Sequence, residues 1–407
     1  MTHIPSRAVA RLCMVLAMLL LTAGCDIGGL FGGSESPAAD APADEGAAGD
    51  DAPADEPPSD EGTDGHDHGE DGAAGTGDEA ADEAEEAHAG DMPDMPDIDT
   101  DALIEGSPGR GDLRIRSSGD PIPSEDGPFP GIGTFRVFCQ TSHQNFDDPI
   151  VFPGQVGASH LHTFFGNTAT DADSTAESIA GSGNSTCTGG IADRSGYWKP
   201  SVIDTSTDAP IAPSIVAMYY QSGFSGVDAA SIQPIPEGLK MLVGDPTRTP
   251  AEAAAAAGGF SNIRWGCWSG GGGPQSQGDG TTIPECSPGQ SVSAIINFPQ
   301  CWDGENLDSE DHLSHMAYPG RGQCPESHPV AIPALMMFVI YPTDDGGTAD
   351  WRLSSDMYPA DEPAGASLHA DFINGWDPEI QQRWVDACVR AELDCERSEL
   401  GDGESLF

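Results

Sequence analysis

The sequence predicts a β-rich domain, all-β or α+β, of β-sandwich type, with long disulfide-stapled loops and a helix near its C-terminal end. Three observations predict it. Short apolar runs rich in β-branched and aromatic residues alternate with turn-forming residues, cysteines are even in number in an exported chain, and a single helical period stands near the end.

The runs are Phe135 to Cys139, Ile215 to Tyr220, Leu239 to Val243, Val292 to Phe298 and Met336 to Tyr341, separated by Gly, Pro, Asn and Asp. Each has strand length, and no run of helical length lies between them, so sheets packed face to face are the expected architecture. The helix is expected from about Pro378 to Leu393, where Ile380, Trp384, Ala387 and Cys388 share a face. Ala253 to Ala257 is open to two readings, a helical turn or a loop beside Gly258-Gly259.

Export is read from the first residues. Arg7 and Arg11 precede an apolar run, Leu12 to Leu21, too short to cross a bilayer comfortably but suited to a signal peptide. It closes with Leu21-Thr22-Ala23-Gly24-Cys25, which resembles the bacterial lipobox. A signal peptide 1–24 is therefore expected, with lipidation at Cys25 and anchoring to a membrane of the cell envelope, outside the cytoplasm. Cys13 falls in the signal peptide and Cys25 at the anchor, leaving eight of ten cysteines for about four disulfides. Proximity favours Cys388 with Cys395; the other pairings stay open.

Between residues 25 and 109 there are about 27 acidic residues and no Lys or Arg, amid Ala, Gly, Pro and Ser. Such a segment cannot bury enough apolar surface to fold, and 25–124 is expected to be a disordered acidic tether. A single domain at 125–397 and an acidic tail at 398–407 complete the chain. Of the formal net charge of −51, about −26 remains after the signal peptide and this segment are set aside. A nucleic-acid partner is thereby excluded, since phosphate recognition needs positive charge.

Seven of eleven histidines lie in the domain: His143, His160, His162, His312, His315, His328 and His369. In an extended strand His160 and His162 face one side and can converge on one ion. His160, His162, His312 and His315 are the expected metal ligands, with His143, His328, His369, Asp311 and Met316 in support and Asp371 expected to orient His369. Imidazole suits copper or zinc, and Met316 as a ligand would favour copper.

Carboxylates give a competing reading, in which Asp147 or Asp148 acts with Asp303 or Asp311 as the acid and base of a glycoside hydrolase. No Gly-x-Ser-x-Gly elbow and no His-Glu-x-x-His is present, which removes the usual support for serine hydrolases and zincins. Trp198 and Trp302 stand among polar residues and are candidates for a sugar-stacking platform, whereas Trp384 is expected in the core. Catalytic candidates are thus Asp148, His328, His369, Asp371 and Asp311.

Several blocks together resemble a family of secreted bacterial and fungal domains known as DUF1996. They include Asp147-Asp148-Pro149-Ile150-Val151, Ser159-His160-Leu161-His162-Thr163-Phe164-Phe165-Gly166-Asn167, Tyr197-Trp198-Lys199-Pro200-Ser201, Phe298-Pro299-Gln300-Cys301-Trp302-Asp303-Gly304, Asp311-His312-Leu313-Ser314-His315-Met316 and Trp351-Arg352-Leu353-Ser354-Ser355-Asp356-Met357. The resemblance runs from about Phe135 to Cys395 and brings no established catalytic residue. Fungal relatives that carry a cell-wall-binding WSC module imply a polysaccharide setting. The expected function is a lipid-anchored protein that acts on a glycan through a transition-metal site. The alternatives are a non-catalytic glycan-binding lipoprotein and the metal-independent hydrolase.

Overall fold

The computed structural model describes residues 95–119, 131–223, 225–256, 262–270, 280–343 and 347–407. The expected signal peptide, Cys25 and the tether as far as residue 94 lie outside these residues, as do 120–130. No helix among the described residues is long and apolar enough to cross a membrane.

Eleven strands matter here. In chain order they are β1 (Thr134–Cys139), β2 (Thr141–Asn145), β3 (His162–Gly166), β4 (Gly196–Pro200), β5 (Ile215–Gln221), β6 (Lys240–Gly244), β7 (Ile263–Trp268), β8 (Ser291–Asn297), β9 (Ala334–Tyr341), β10 (His369–Ile373) and β11 (Asp394–Cys395). They form a six-stranded sheet in the order β7-β8-β9-β5-β1-β11 and a five-stranded sheet in the order β2-β3-β4-β10-β6. All these neighbours are antiparallel except β11, which runs parallel to β1.

The two sheets share one core. Alternate residues of the six-stranded sheet, among them Val137, Met218, Ala294 and Met337, join Phe165, Tyr197, Met241 and Phe372 of the five-stranded sheet in a single buried cluster. This is the expected sandwich, produced by the two-residue period of each strand. The five-stranded sheet is also covered on its outer face, where Phe164, Trp198 and Ile373 pack with Ile150 and Ile179. Every residue of β3, β4 and β10 is therefore buried.

Four disulfides staple the loops: Cys139–Cys187, Cys267–Cys286, Cys301–Cys324 and Cys388–Cys395. The C-terminal helix starts at Pro378, capped by the Asp377 carboxylate accepting from the amides of Glu379 and Ile380. It is α-helical to Trp384 and then widens into a π-turn, Val385–Val389. The extra residue in that turn brings Val385 and Val389 into the core beside Trp384 and Cys388. A short helix at Pro250–Ala255 resolves the alanine-rich stretch.

The limits drawn from composition shift at both ends. Residues 95–119, expected in the tether, hydrogen-bond along the domain: the Asp99 amide donates to the Asp208 carbonyl and the Ser107 amide to the Thr141 carbonyl. Ile115–Ser117 pairs antiparallel with Glu404–Leu406, which were expected to be a free acidic tail. Leu406 is buried against Gly189. The reason is that a backbone ladder and two buried leucines, Leu400 and Leu406, hold these segments, and net charge registers neither.

Candidate metal centre

The outer face of the five-stranded sheet carries the site. His162 opens β3 and His369 opens β10, with β4 between them. Pro200 is level with His162, and Trp198 is level with Asp371; continuing that register by two residues sets His369 level with Pro200 as well. The two imidazoles thus flank a proline that has no long side chain to separate them. On the far side His369 faces Gly244, where φ is +105° and a Cβ would lie 2.6 Å from the His369 Cα. Glycine is required for that approach.

His160 precedes the strand. Its position is fixed by its neighbours: the Ser159 amide donates to the Phe146 carbonyl, and the Leu161 carbonyl accepts from the Ser201 amide and the Ser354 hydroxyl. The three rings meet at their Nε2 atoms. His160 Nε2 is 3.2 Å and His162 Nε2 is 3.5 Å from His369 Nε2.

The tautomers follow from the other ring nitrogens. His162 Nδ1 lies 2.9 Å from the Asp147 carbonyl oxygen and His369 Nδ1 2.8 Å from that of Ser367. A carbonyl only accepts, so each Nδ1 carries the hydrogen and each Nε2 presents a lone pair. Burial disfavours the charged rings, lowering His162 to about 4 and His369 to about 3 and holding His160 well below the usual histidine range. Neutral imidazoles with bare Nε2 atoms are in the state that binds metal. Two such lone pairs facing each other repel unless a cation lies between them. Tetrahedral zinc with bonds of 2.0–2.1 Å would separate its nitrogens by about 3.4 Å, close to the spacing found.

Behind the rings stand two braces. The Asp147 carboxylate accepts from the amides of Gly157 and Ala172 and from the Asn145 side chain, fixing the loop whose carbonyl orients His162. The Ser367 hydroxyl donates to the Asp356 carboxylate, which also accepts from the amides of Leu353 and Gly365, fixing the segment that orients His369. Such partners set ring orientation in metal sites. Asp371, expected to orient His369, does not: the Ser367 carbonyl takes that place, because residues 369 and 371 project side by side from the same face.

Asp371 instead is fully buried. Neither carboxylate oxygen has a hydrogen-bond partner, and neither does the Trp198 indole nitrogen. Asp148, His162 and Asp371 bring ligand atoms within 4.8 Å of one another, as do His160, His162 and His369. Burial, with Asp148 adding to it, pushes Asp371 well above the usual carboxylate range. Asp148 accepts from the amides of Ile150 and Val151 through one oxygen.

The remaining candidates lie elsewhere. His315 donates or accepts at both nitrogens, Nδ1 with the Ser309 hydroxyl and Nε2 with the Lys240 carbonyl. Lys240 is four residues along β6 from Gly244, about 13 Å of strand, so His315 and its neighbour His312 do not join His160 and His162. His312 pairs with Asp308, and His328 bonds Ser327 and the Ser314 carbonyl. His143 stacks on Phe164 and bonds the Thr170 carbonyl.

Met316 is paired with Trp302 in a small separate sheet, so the argument for copper through this residue falls. Asp303 and Asp311 close their own loops by accepting backbone amides, Asp303 from Glu305 and Asn306 and Asp311 from Leu313 and Ser314. Trp198 is fully buried and cannot stack on a sugar, while the Trp302 nitrogen donates to the Asn306 carbonyl. Polar neighbours in sequence suggested exposure, but the sheet is covered on both faces.

Sequence reasoning passed over Asp356, Ser367 and Lys199. Lys199 projects to the inner face, fully buried, and its ammonium donates to the Pro200 carbonyl and the Tyr341 hydroxyl; burial, eased by Asp356, lowers it to about 7. Lys199 and Asp356 stand inside blocks that carry the family resemblance, which was the signal available.

No curated protein and no solved structure matches the chain. A family model described as a domain of unknown function (DUF1996) matches residues 148–376, more than half of the chain. The centre built by Asp148, His160, His162, His369 and Asp371 falls wholly within that stretch, and the chain belongs to this family.

Proposed function

We propose that this is a lipid-anchored, extracytoplasmic metalloprotein that uses a three-histidine centre to act on a polysaccharide or related glycan. The observation that carries the metal reading is the convergence of His160, His162 and His369 through Nε2 atoms 3.2 and 3.5 Å apart, two of them with tautomers fixed by backbone carbonyls. An all-imidazole donor set with a carboxylate nearby suits zinc, which acts as a Lewis acid and activates a bound water. Hydrolysis is then the favoured chemistry. The glycan rests on the polysaccharide setting of the fungal relatives, and the anchor on the lipobox-like residues ending at Cys25.

The test uses full-length protein made without a polyhistidine tag. Metal analysis after reconstitution should find stoichiometric zinc, reduced by His162→Ala and by His369→Ala but not by His315→Ala. Failure of wild-type protein to retain more metal than the His162→Ala variant would falsify the centre. Released oligosaccharide from cell-wall polysaccharide, abolished by chelation and restored by zinc, is the expected activity. Activity that survives chelation would return the carboxylate mechanism to the lead. For the anchor, Cys25→Ala should abolish incorporation of labelled fatty acid.

A further inference from the structure

We infer that the centre holds two cations side by side, the second bound by the carboxylates of Asp148 and Asp371 next to the three-histidine position. The inference builds on the three-histidine reading. Its starting point is Asp371, a fully buried carboxylate with no hydrogen-bond partner at either oxygen. A buried carboxyl group with neither oxygen hydrogen-bonded is unsatisfied in either form: protonated, it has no acceptor for its hydrogen, and ionised, it lacks the counter-charge whose absence costs several kcal/mol, a role that a bound cation fills. The cations that hydrogen-bond nearby do not supply it: Lys199 points to the opposite face, where Pro200 and Tyr341 take its protons.

The only other carboxylate in the group is Asp148, itself buried, with one oxygen committed to two amides and the second left for a ligand. Asp148, His162 and Asp371 have ligand atoms within 4.8 Å of one another, a spacing that one divalent cation with oxygen ligands spans. The ligand atoms fall into two overlapping trios that share His162, instead of one set of five. His162 has a single lone pair to give, because its Nδ1 hydrogen is held by Asp147. That lone pair goes to the histidine position, and the second cation rests on the two carboxylates and solvent or substrate oxygens. Paired cations about 3.5–4 Å apart clamp both oxygens of a displacement, which extends the single-ion chemistry proposed above.

The experiment loads the tag-free full chain with Mn2+ after chelation and records the electron paramagnetic resonance spectrum together with the bound metal. Expected are two ions more per chain than in the chelated protein, with a spin-coupled signal. Asp371→Asn, close to isosteric, and independently Asp148→Asn should each lose one ion and convert the signal to the uncoupled six-line form, while keeping the wild-type circular dichroism spectrum. An uncoupled single ion in wild type, unchanged by Asp371→Asn but lost in His369→Ala, overturns the second cation and leaves the first intact. Loss of all binding in wild type removes the three-histidine reading instead.

Discussion

At the scale of single residues, Gly244 governs how closely β6 and β10 approach at His369. Alanine there meets both a positive φ and contacts of 2.6 Å with the Cα, Cβ and preceding carbonyl of the His369 segment. Gly244→Ala is expected to cost about 2–4 kcal/mol and to weaken metal retention, as read by urea unfolding and metal analysis in parallel. A small stability loss with full metal content would show that the close approach does not position the ring.

Asp193 makes a prediction about pH. Its carboxylate is buried, and burial raises it from 3.8 to about 6 although it accepts from Tyr197 and from the Ser195 amide. The folded state therefore prefers the protonated form. Its contribution is fully present below about pH 4 and is lost as pH rises through 6, a change on the order of 3 kcal/mol. Unfolding free energy of wild type relative to Asp193→Asn should fall across that window, and a flat difference would contradict the shift.

At the scale of elements, the legibility of each strand follows its surroundings. β1, β5, β6, β8 and β9 were readable because they are apolar runs bounded by turn residues. β2, β3, β4 and β10, four of the five strands under the candidate centre, were not among the runs that stood out. Sequences such as His162-Thr163-Phe164-Phe165-Gly166 and His369-Ala370-Asp371-Phe372-Ile373 mix polar and apolar residues, yet every side chain in them is buried. A site built inside a doubly covered sheet replaces alternation with chemistry, and pattern reading loses its signal there.

The disulfides differ in the chain they close. Cys139–Cys187 spans 48 residues and Cys388–Cys395 spans 7, so loop-closure entropy assigns them about 4 and about 2.5 kcal/mol. Paired Cys→Ala variants compared by urea denaturation should reproduce that order. Equal losses would indicate that the short bridge acts through the π-turn it fastens.

At the scale of the whole molecule, the two ends of the described chain are tied together. Ile115–Ser117 and Glu404–Leu406 form a two-stranded ribbon, and Arg383 pairs with Asp402 and Glu404 beside it. Removing residues 398–407 exposes what Leu400 and Leu406 cover, about 4 kcal/mol of apolar burial, and should lower the melting temperature by about 8–16 °C. An unchanged melting temperature would return this segment to the role of a solvated tail.

The sequence by itself determined the β-rich class, the C-terminal helix, the even set of domain cysteines and the convergence of His160 with His162, because each is a local pattern of period, parity or spacing. It also supplied His369 and Asp371 as members of one motif, though with the wrong relation between them. Only the tertiary structure decided that His369 replaces His312 and His315 at the centre. That choice depends on strand order: β4 lies between β3 and β10, so residues more than 200 apart in sequence become neighbours across one proline. The same packing buried Trp198, freed Asp371 of hydrogen-bond partners and committed His315 to Lys240. Burial and register are properties of the assembled sheets, and no window of the chain contains them.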